Sequence, residues 1–188
     1  MRTSSSGAET PTVAKSGRAA RAAASGAFLF AALALSLAES LAFPVGILPI
    51  PGAKPGLANA AVLLCAHLMD KRSAAMVSLC RVILMFFLFG NASSLIYSMS
   101  GAALSFVGII LTAGCKSLSF LGKSVIAASL HNTAQTLCAV FIIGAPAAAL
   151  FPYMLLSAVL CGGITGVLLN FVYKPVRLAA KKLTANGK

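Results

Sequence analysis

Long apolar runs, broken by short polar or proline-rich punctuation, set the pattern of this chain. Six stand out, at 22–43, 56–69, 73–90, 93–114, 121–144 and 148–173. A membrane-spanning helix needs about 20 apolar residues, or about 17 at the short end. Five of the six meet that length. The second offers 14 residues, roughly 21 Å at about 1.5 Å each, against a hydrocarbon core of about 30 Å. It is expected to begin inside the bilayer, with the preceding loop folded down over it. The pattern predicts an all-α membrane protein, a six-transmembrane-helix bundle over 22–175. Residues 1–21 read as a disordered basic cytoplasmic tail and 176–188 as a second basic cytoplasmic tail. Ser36-Leu37-Ala38 resembles a cleavage site, but the first run is long enough to span and is read as an uncleaved helix.

Charge orients the bundle. With both termini cytoplasmic, the inner segments hold Arg2, Lys15, Arg18, Arg21, Lys71, Arg72, Lys116, Lys123, Lys174, Arg177, Lys181, Lys182 and Lys188. That is 13 of the 15 basic residues; the outer loops keep only Lys54, and Arg81 lies within a span. The asymmetry is what the positive-inside rule expects. It also accounts for the net charge of +12 without nucleic acid, because basic loops face anionic lipid heads or an acidic partner. The outer connections differ in kind. Residues 44–55 carry Pro44, Pro49, Pro51 and Pro55 with Gly46 and Gly52, which makes a rigid, non-helical loop.

Composition narrows the chemistry. The chain has 188 residues, 59% hydrophobic and only 10% charged, against roughly 25% charged in a soluble domain. A soluble enzyme, a free DNA-binding protein and a disordered chain are excluded. The acids are Glu9, Glu39 and Asp70. One Asp cannot build an aspartate-rich magnesium site for a diphosphate, and no carboxylate pair suits acid–base catalysis. No enzyme activity, metal or cofactor is expected. Cys65, Cys80, Cys115, Cys138 and Cys161 are far apart and read as small core residues.

Polar side chains within apolar runs are costly and often mark a ligand path. Here they are Glu39, Asn59, Arg81, His131, Asn132, Gln135 and Asn170. Arg81 is mid-span, where arginine costs about 2.5–3.5 kcal/mol. It needs either a structural partner such as Glu39 or an anionic ligand group. Glu39 is equally a counter-ion for Arg81 or Lys54, or a ligand contact. Lys54 is solvated or closes on an anion. His131 and Gln135 share a helix face, with Asn132 beside it. The stripe either bonds a neighbouring helix or walls a cavity. His67 reads as interfacial. Ala27 with Ala31, Ala34 with Ala38, and Gly162 with Gly166 fall at spacing four, which permits close helix approach. The alanine-lined first helix is a docking face for another membrane subunit.

The stretch Leu48-Pro49-Ile50-Pro51-Gly52-Ala53-Lys54-Pro55-Gly56-Leu57-Ala58-Asn59 resembles the hallmark of the Gx transporter family, also catalogued as heptaprenyl diphosphate synthase component I. Arg81, Phe89-Gly90, the run Tyr97 to Gly101, and Leu130-His131-Asn132 followed by Gln135 match in order. Pro55 stands where an aliphatic residue is expected. The family looks similar to the S components of energy-coupling-factor transporters. That resemblance implies an S-component-like fold and an outer loop gating a ligand cavity. It places Lys54 and Asn59 at the gate, with Arg81, His131, Asn132 and Gln135 below. It further implies a small-molecule ligand, with docking through the spaced alanines on a coupling transmembrane subunit driven by ATPase subunits. No GK[ST] phosphate loop is present, so ATP work belongs to another chain. The alternative is a non-catalytic membrane subunit associated with polyprenyl diphosphate or quinone synthesis, which predicts a lateral groove for an apolar chain. A third reading is an assembly factor without a ligand. The transporter reading, in the cell membrane, is the expectation carried forward.

Overall fold

The computed structural model describes residues 18–42, 56–89 and 92–185, which contain helices and connections with no strand among them. The helices are α1 (Arg18–Ala42), α2 (Asn59–Leu68), α3 (Lys71–Phe89), α4 (Ala92–Ala113), α5 (Phe120–Ile143) and α6 (Phe151–Ala185), with a 3-10 segment, Ala145–Leu150, leading into α6. The proline-rich loop at 44–55 and the turn at Gly90-Asn91 lie outside the described residues.

Five helical stretches are long and apolar enough to cross a bilayer. The second apolar run supplies only α2, whose 10 residues extend about 15 Å. That is half a hydrocarbon core of about 30 Å. Instead α2 is a central strut. It is buried from Asn59 to Cys65 and again at Leu68, and it touches α1, α3, α4, α5 and α6. Leu63, Leu68, Met69 and Ile109 are among the largest side chains of the core around it. The outside of the bundle is inverted relative to a soluble protein: Phe30, Phe87, Phe141 and Phe171 are exposed, Phe141 by 90%. Hydrocarbon solvates such a surface and water does not. The chain is a multi-pass membrane protein.

Local chemistry fixes the helix ends. Ser119 caps α5 by accepting the Gly122 N–H at 3.3 Å. Gly144, at φ +103°, turns the chain after α5, a conformation that favours glycine. Asp70 caps α3, its carboxylate accepting the Ser73 N–H at 2.7 Å, as Asp does at an N-cap. The terminal helices run past the apolar windows. The last four residues of the stretch read as an N-terminal tail, from Arg18, are helical. So is the stretch read as a C-terminal tail, as far as Ala185. Hydropathy marks where apolar residues stop, whereas Ala, Leu, Lys and Arg continue a helix readily. Pro175 interrupts α6 at the cost of one backbone bond, to the Phe171 carbonyl.

Glycines let α5 lie close to both neighbours. A Cβ on Gly166 would stand 2.4 Å from Leu121 Cα, and one on Gly162 would stand 2.9 Å from Val125 Cα. On the other flank, a Cβ on Gly108 of α4 would meet Leu130 at 2.5 Å. Close approach through small residues is how membrane helices gain packing contact. Ser124 and Thr165 add a hydroxyl bond of 2.7 Å between α5 and α6.

Candidate functional site

Helix α2 starts in the protein interior, where its first N–H groups need acceptors. No side chain of α2 provides one. The first two, of Asn59 and Ala60, donate at 3.0 Å to the carbonyls of Gly56 and Leu57, and the N–H groups of those two turn residues donate in turn to Oε1 of Glu39, near the end of α1, at 2.8 Å for Leu57. Gly56 has φ +93°, so the turn into α2 is one that glycine adopts without strain. A buried carboxylate is therefore held by two backbone donors and by the positive end of a helix. Glu39 is 1% exposed.

Arg81 approaches the same place from the middle of α3. It is 5% exposed. Its Nη1 donates to Ser36 Oγ at 3.4 Å, a long bond. Its Nε and Nη2 have no hydrogen-bond partner among the described residues. Ser36, Glu39, Arg81, Val82, Met85, Ser98 and His131 line a cavity of about 20 Å³, room for about one water. Two buried guanidinium nitrogens face no acceptor among the described residues, which suits them to an oxygen of an anionic group.

The α5 stripe divides. His131 Nε2 accepts from the Gln135 amide at 2.9 Å, which leaves the ring proton on Nδ1. His131 lines the cavity, while Gln135, fully buried, supports it from behind. The ring lies flat against α4, so close that a Cβ on Gly101 would come within 2.6 Å of its Cε1. Asn132 turns elsewhere: its Nδ2 donates to the Met154 carbonyl of α6 at 2.7 Å. Asn59 sits at the first residue of α2. Its Nδ2, without a partner among the described residues, is 3.1 Å from where a Gly56 Cβ would stand, and the His131 ring is 3.4 Å from the same point.

Of the residues singled out in the sequence, Glu39, Arg81 and His131 thus meet on one cavity, with Asn59 and Gln135 adjoining. Asn132 faces α6, and Lys54 lies outside the described residues. Ser36, Ser98 and Gly101 were not singled out. Ser36 stands one helical turn before Glu39, the spacing that puts both on one face. Gly101 falls in the Tyr97–Gly101 run, but only the fold reveals that it touches His131.

A second feature lies apart from the polar cluster. An apolar groove of about 480 Å³ opens between α1, α2 and α6, lined by Ala20, Ala24, Ala27, Ala31 and Leu35 of α1, Ala60, Leu64 and Leu68 of α2, and Leu168, Val172, Val176 and Ala180 of α6. None of the polar candidates lines it. Ala27, Ala31, Ala34 and Ala38 are all exposed on α1, and the first two of them form part of this groove's wall.

The end of the bundle where α1 begins and α2 finishes is basic and internally tied. Arg21 pairs with Asp70 at 2.5 Å. Desolvation alone would raise the Asp70 carboxyl, but the Ser73 N–H and the Arg21 guanidinium outweigh it and hold it below the usual carboxylate range. Lys123, counted in the sequence among the inner basic residues, is 7% exposed within α5. It donates to His67 Nε2 at 3.0 Å, while His67 Nδ1 donates to the Leu63 carbonyl at 2.9 Å. His67 is therefore packed between α2 and α5 and stacks on Phe120 at 5.0 Å. Among the described residues no three His, Cys, Asp or Glu side chains gather to hold a metal.

No curated protein and no solved structure matches this chain. One family does, and its model spans residues 28–172, from the middle of α1 to the long helix α6, with every residue lining the Arg81 cavity inside it. By that match the chain belongs to the family described as heptaprenyl diphosphate synthase component I.

Proposed function

We infer that this chain is an S-component-like, substrate-binding subunit of an uptake transporter. It takes a small ligand through an anionic group that reaches Arg81. The observation that carries this reading is the buried guanidinium whose Nε and Nη2 have no hydrogen-bond partner among the described residues, on a cavity lined also by His131 and Ser98. A central arginine costs about 2.5–3.5 kcal/mol to insert, and an anionic ligand offsets that cost at the moment of binding. A site for a small molecule is typically about 300–1,000 Å³, so a space of about 20 Å³ admits only the anionic group. The helices around it part for the rest. Asn59 adjoins the site, and Gln135 holds its α5 side through His131. Both termini face the cytoplasm, and the exposed alanines of α1 dock on a coupling transmembrane subunit driven by ATPase subunits.

The family description supports a second reading, a non-catalytic membrane component that works beside a soluble prenyl synthase. It takes the apolar groove as the seat of a prenyl chain. Elongation itself would belong to the partner, because Asp70, the only Asp in the chain, is engaged by Arg21 and Ser73.

The separating experiment is affinity purification from the native membrane in mild detergent, followed by mass spectrometry of bound proteins. Recovery of a coupling subunit with ATPases is the expected result. Recovery of a soluble prenyl synthase without ATPases overturns the transporter reading and favours the second.

A further inference from the structure

The apolar groove is separate from the Arg81 cavity and asks for a different occupant. Along α1 its wall runs from Ala20 to Leu35, about 22 Å at about 1.5 Å per residue. That exceeds one leaflet of a hydrocarbon core of about 30 Å. Its lining is apolar, aliphatic apart from Phe28, with Thr165 the one polar residue. The Thr165 hydroxyl is already committed, to the Cys161 carbonyl at 2.8 Å and to Ser124 Oγ at 2.7 Å. Nothing in the groove recognises a polar molecule, and an apolar chain fits its full length.

The rim at the basic end is charged. Arg21 stands one helical turn before Ala24 on one wall, and Arg177 one turn before Ala180 on the other, spacings that place each pair on one helix face. Arg18 and Lys174 lie exposed at the same end. Basic pockets between membrane helices suit anionic lipid heads. We propose that this groove binds one acyl chain of an anionic glycerophospholipid, with its phosphate at the rim where Arg18, Lys174 and Arg177 add their charge beside the Arg21–Asp70 pair. A diphosphate head fits the rim less well. Such heads are held through carboxylate-bound magnesium, and Asp70, the carboxylate described there, is engaged by Arg21 and Ser73. The site needs no ligand at Arg81, but its wall includes Ala27 and Ala31, so the lipid occupies the groove only while no coupling subunit is docked on that face of α1.

The test uses the full chain in nanodiscs containing phosphatidylcholine with a trace of photoreactive phosphatidylglycerol, the photogroup at the end of one acyl chain. Saturable labelling of peptides from α1 and α6 is expected. Unlabelled phosphatidylglycerol should displace it, and phosphatidylcholine should not. Arg177→Gln should weaken labelling roughly tenfold, the loss of one charge-assisted contact. Ala27→Phe, which fills the groove, should abolish it. If that variant fails to accumulate, the competition in the unaltered chain still decides. Equal displacement by phosphatidylcholine overturns the proposal, since it marks ordinary annular lipid. So does preferential displacement by heptaprenyl diphosphate, which assigns the groove to a prenyl chain. Occlusion of the groove by a co-purified membrane protein, with no lipid labelling, overturns it as well.

Discussion

Replacing Gly101 by Ala tests the packing that aims His131 at the cavity. The added methyl would lie 2.6 Å from His131 Cε1 and 2.8 Å from each ring nitrogen, so the ring must move by roughly 1 Å or rotate away. It has little freedom to do so. The ring is 2% exposed, Gln135 holds its Nε2 at 2.9 Å, and the Gly56 turn closes the opposite edge. Overpacking costs about 1–3 kcal/mol, and losing the Gln135 bond costs about 0.5–1.5 kcal/mol. Helix propensity returns about 1 kcal/mol when Gly becomes Ala. The net is a destabilisation of about 2 kcal/mol, or about 4–8 °C in Tm for a chain of this size. Thermal unfolding in detergent, followed by helical circular dichroism or by dye reaction with buried Cys65, reads that shift. The control is Gly163→Ala, where no atom lies within 4 Å of the new methyl. That variant should be neutral or up to about 1 kcal/mol more stable. If Gly101→Ala melts at or above the control, the ring is not wedged against α4 and its orientation has another cause.

Three further outcomes follow from the same geometry. Gly166→Ala places a methyl 2.4 Å from the Leu121 backbone, which cannot rotate aside, so it should cost about 3 kcal/mol and melt well below the Gly163→Ala control. Glu39→Gln keeps an acceptor for the Gly56 and Leu57 N–H groups but removes the charge that strengthens both bonds. A loss of about 1–3 kcal/mol is expected, and a Tm equal to the unaltered chain would contradict the role of Glu39 in holding the turn into α2. The Asp70 carboxyl is depressed in the fold. Its contribution is therefore present above the unfolded value, about 3.9, and is lost as pH falls through the folded value. Tm measured from pH 7 to pH 3 should fall more steeply for the unaltered chain than for Asp70→Asn, and parallel curves would contradict the assignment.

Much of the helical layout is legible in the sequence because hydrocarbon thickness imposes a length on each apolar run. The fourth and fifth runs, 93–114 and 121–144, correspond within a residue to α4 and α5. The short second run announces a helix that cannot span. Only the fold shows why it is tolerated: α2 is enclosed by all five other helices. The His131–Gln135 contact is local, four residues apart on one helix, and spacing alone suggests it. Asp70 followed by Ser73 likewise carries its own N-cap signal. The long-range partnerships carry none. Glu39 pointing at the α2 N-terminus, Asn132 reaching the Met154 carbonyl and Lys123 meeting His67 all join segments whose proximity depends on the packing of the whole bundle. Lys123 counts among the inner basic residues although it lies just inside the fifth run, and only the fold shows it buried within α5.

The central claim is that the Arg81 guanidinium receives an anionic ligand group rather than serving the fold. The most direct measurement is mass spectrometry of small molecules retained by the full-length protein after mild-detergent purification, comparing the unaltered chain with Arg81→Ala at matched amounts of folded protein. The expected result is an anionic small molecule retained by the unaltered chain and lost from the variant, which still inserts and accumulates. A variant that fails to accumulate, or one that retains the same molecule undiminished, would contradict it and return Arg81 to a structural role beside Ser36 and Glu39.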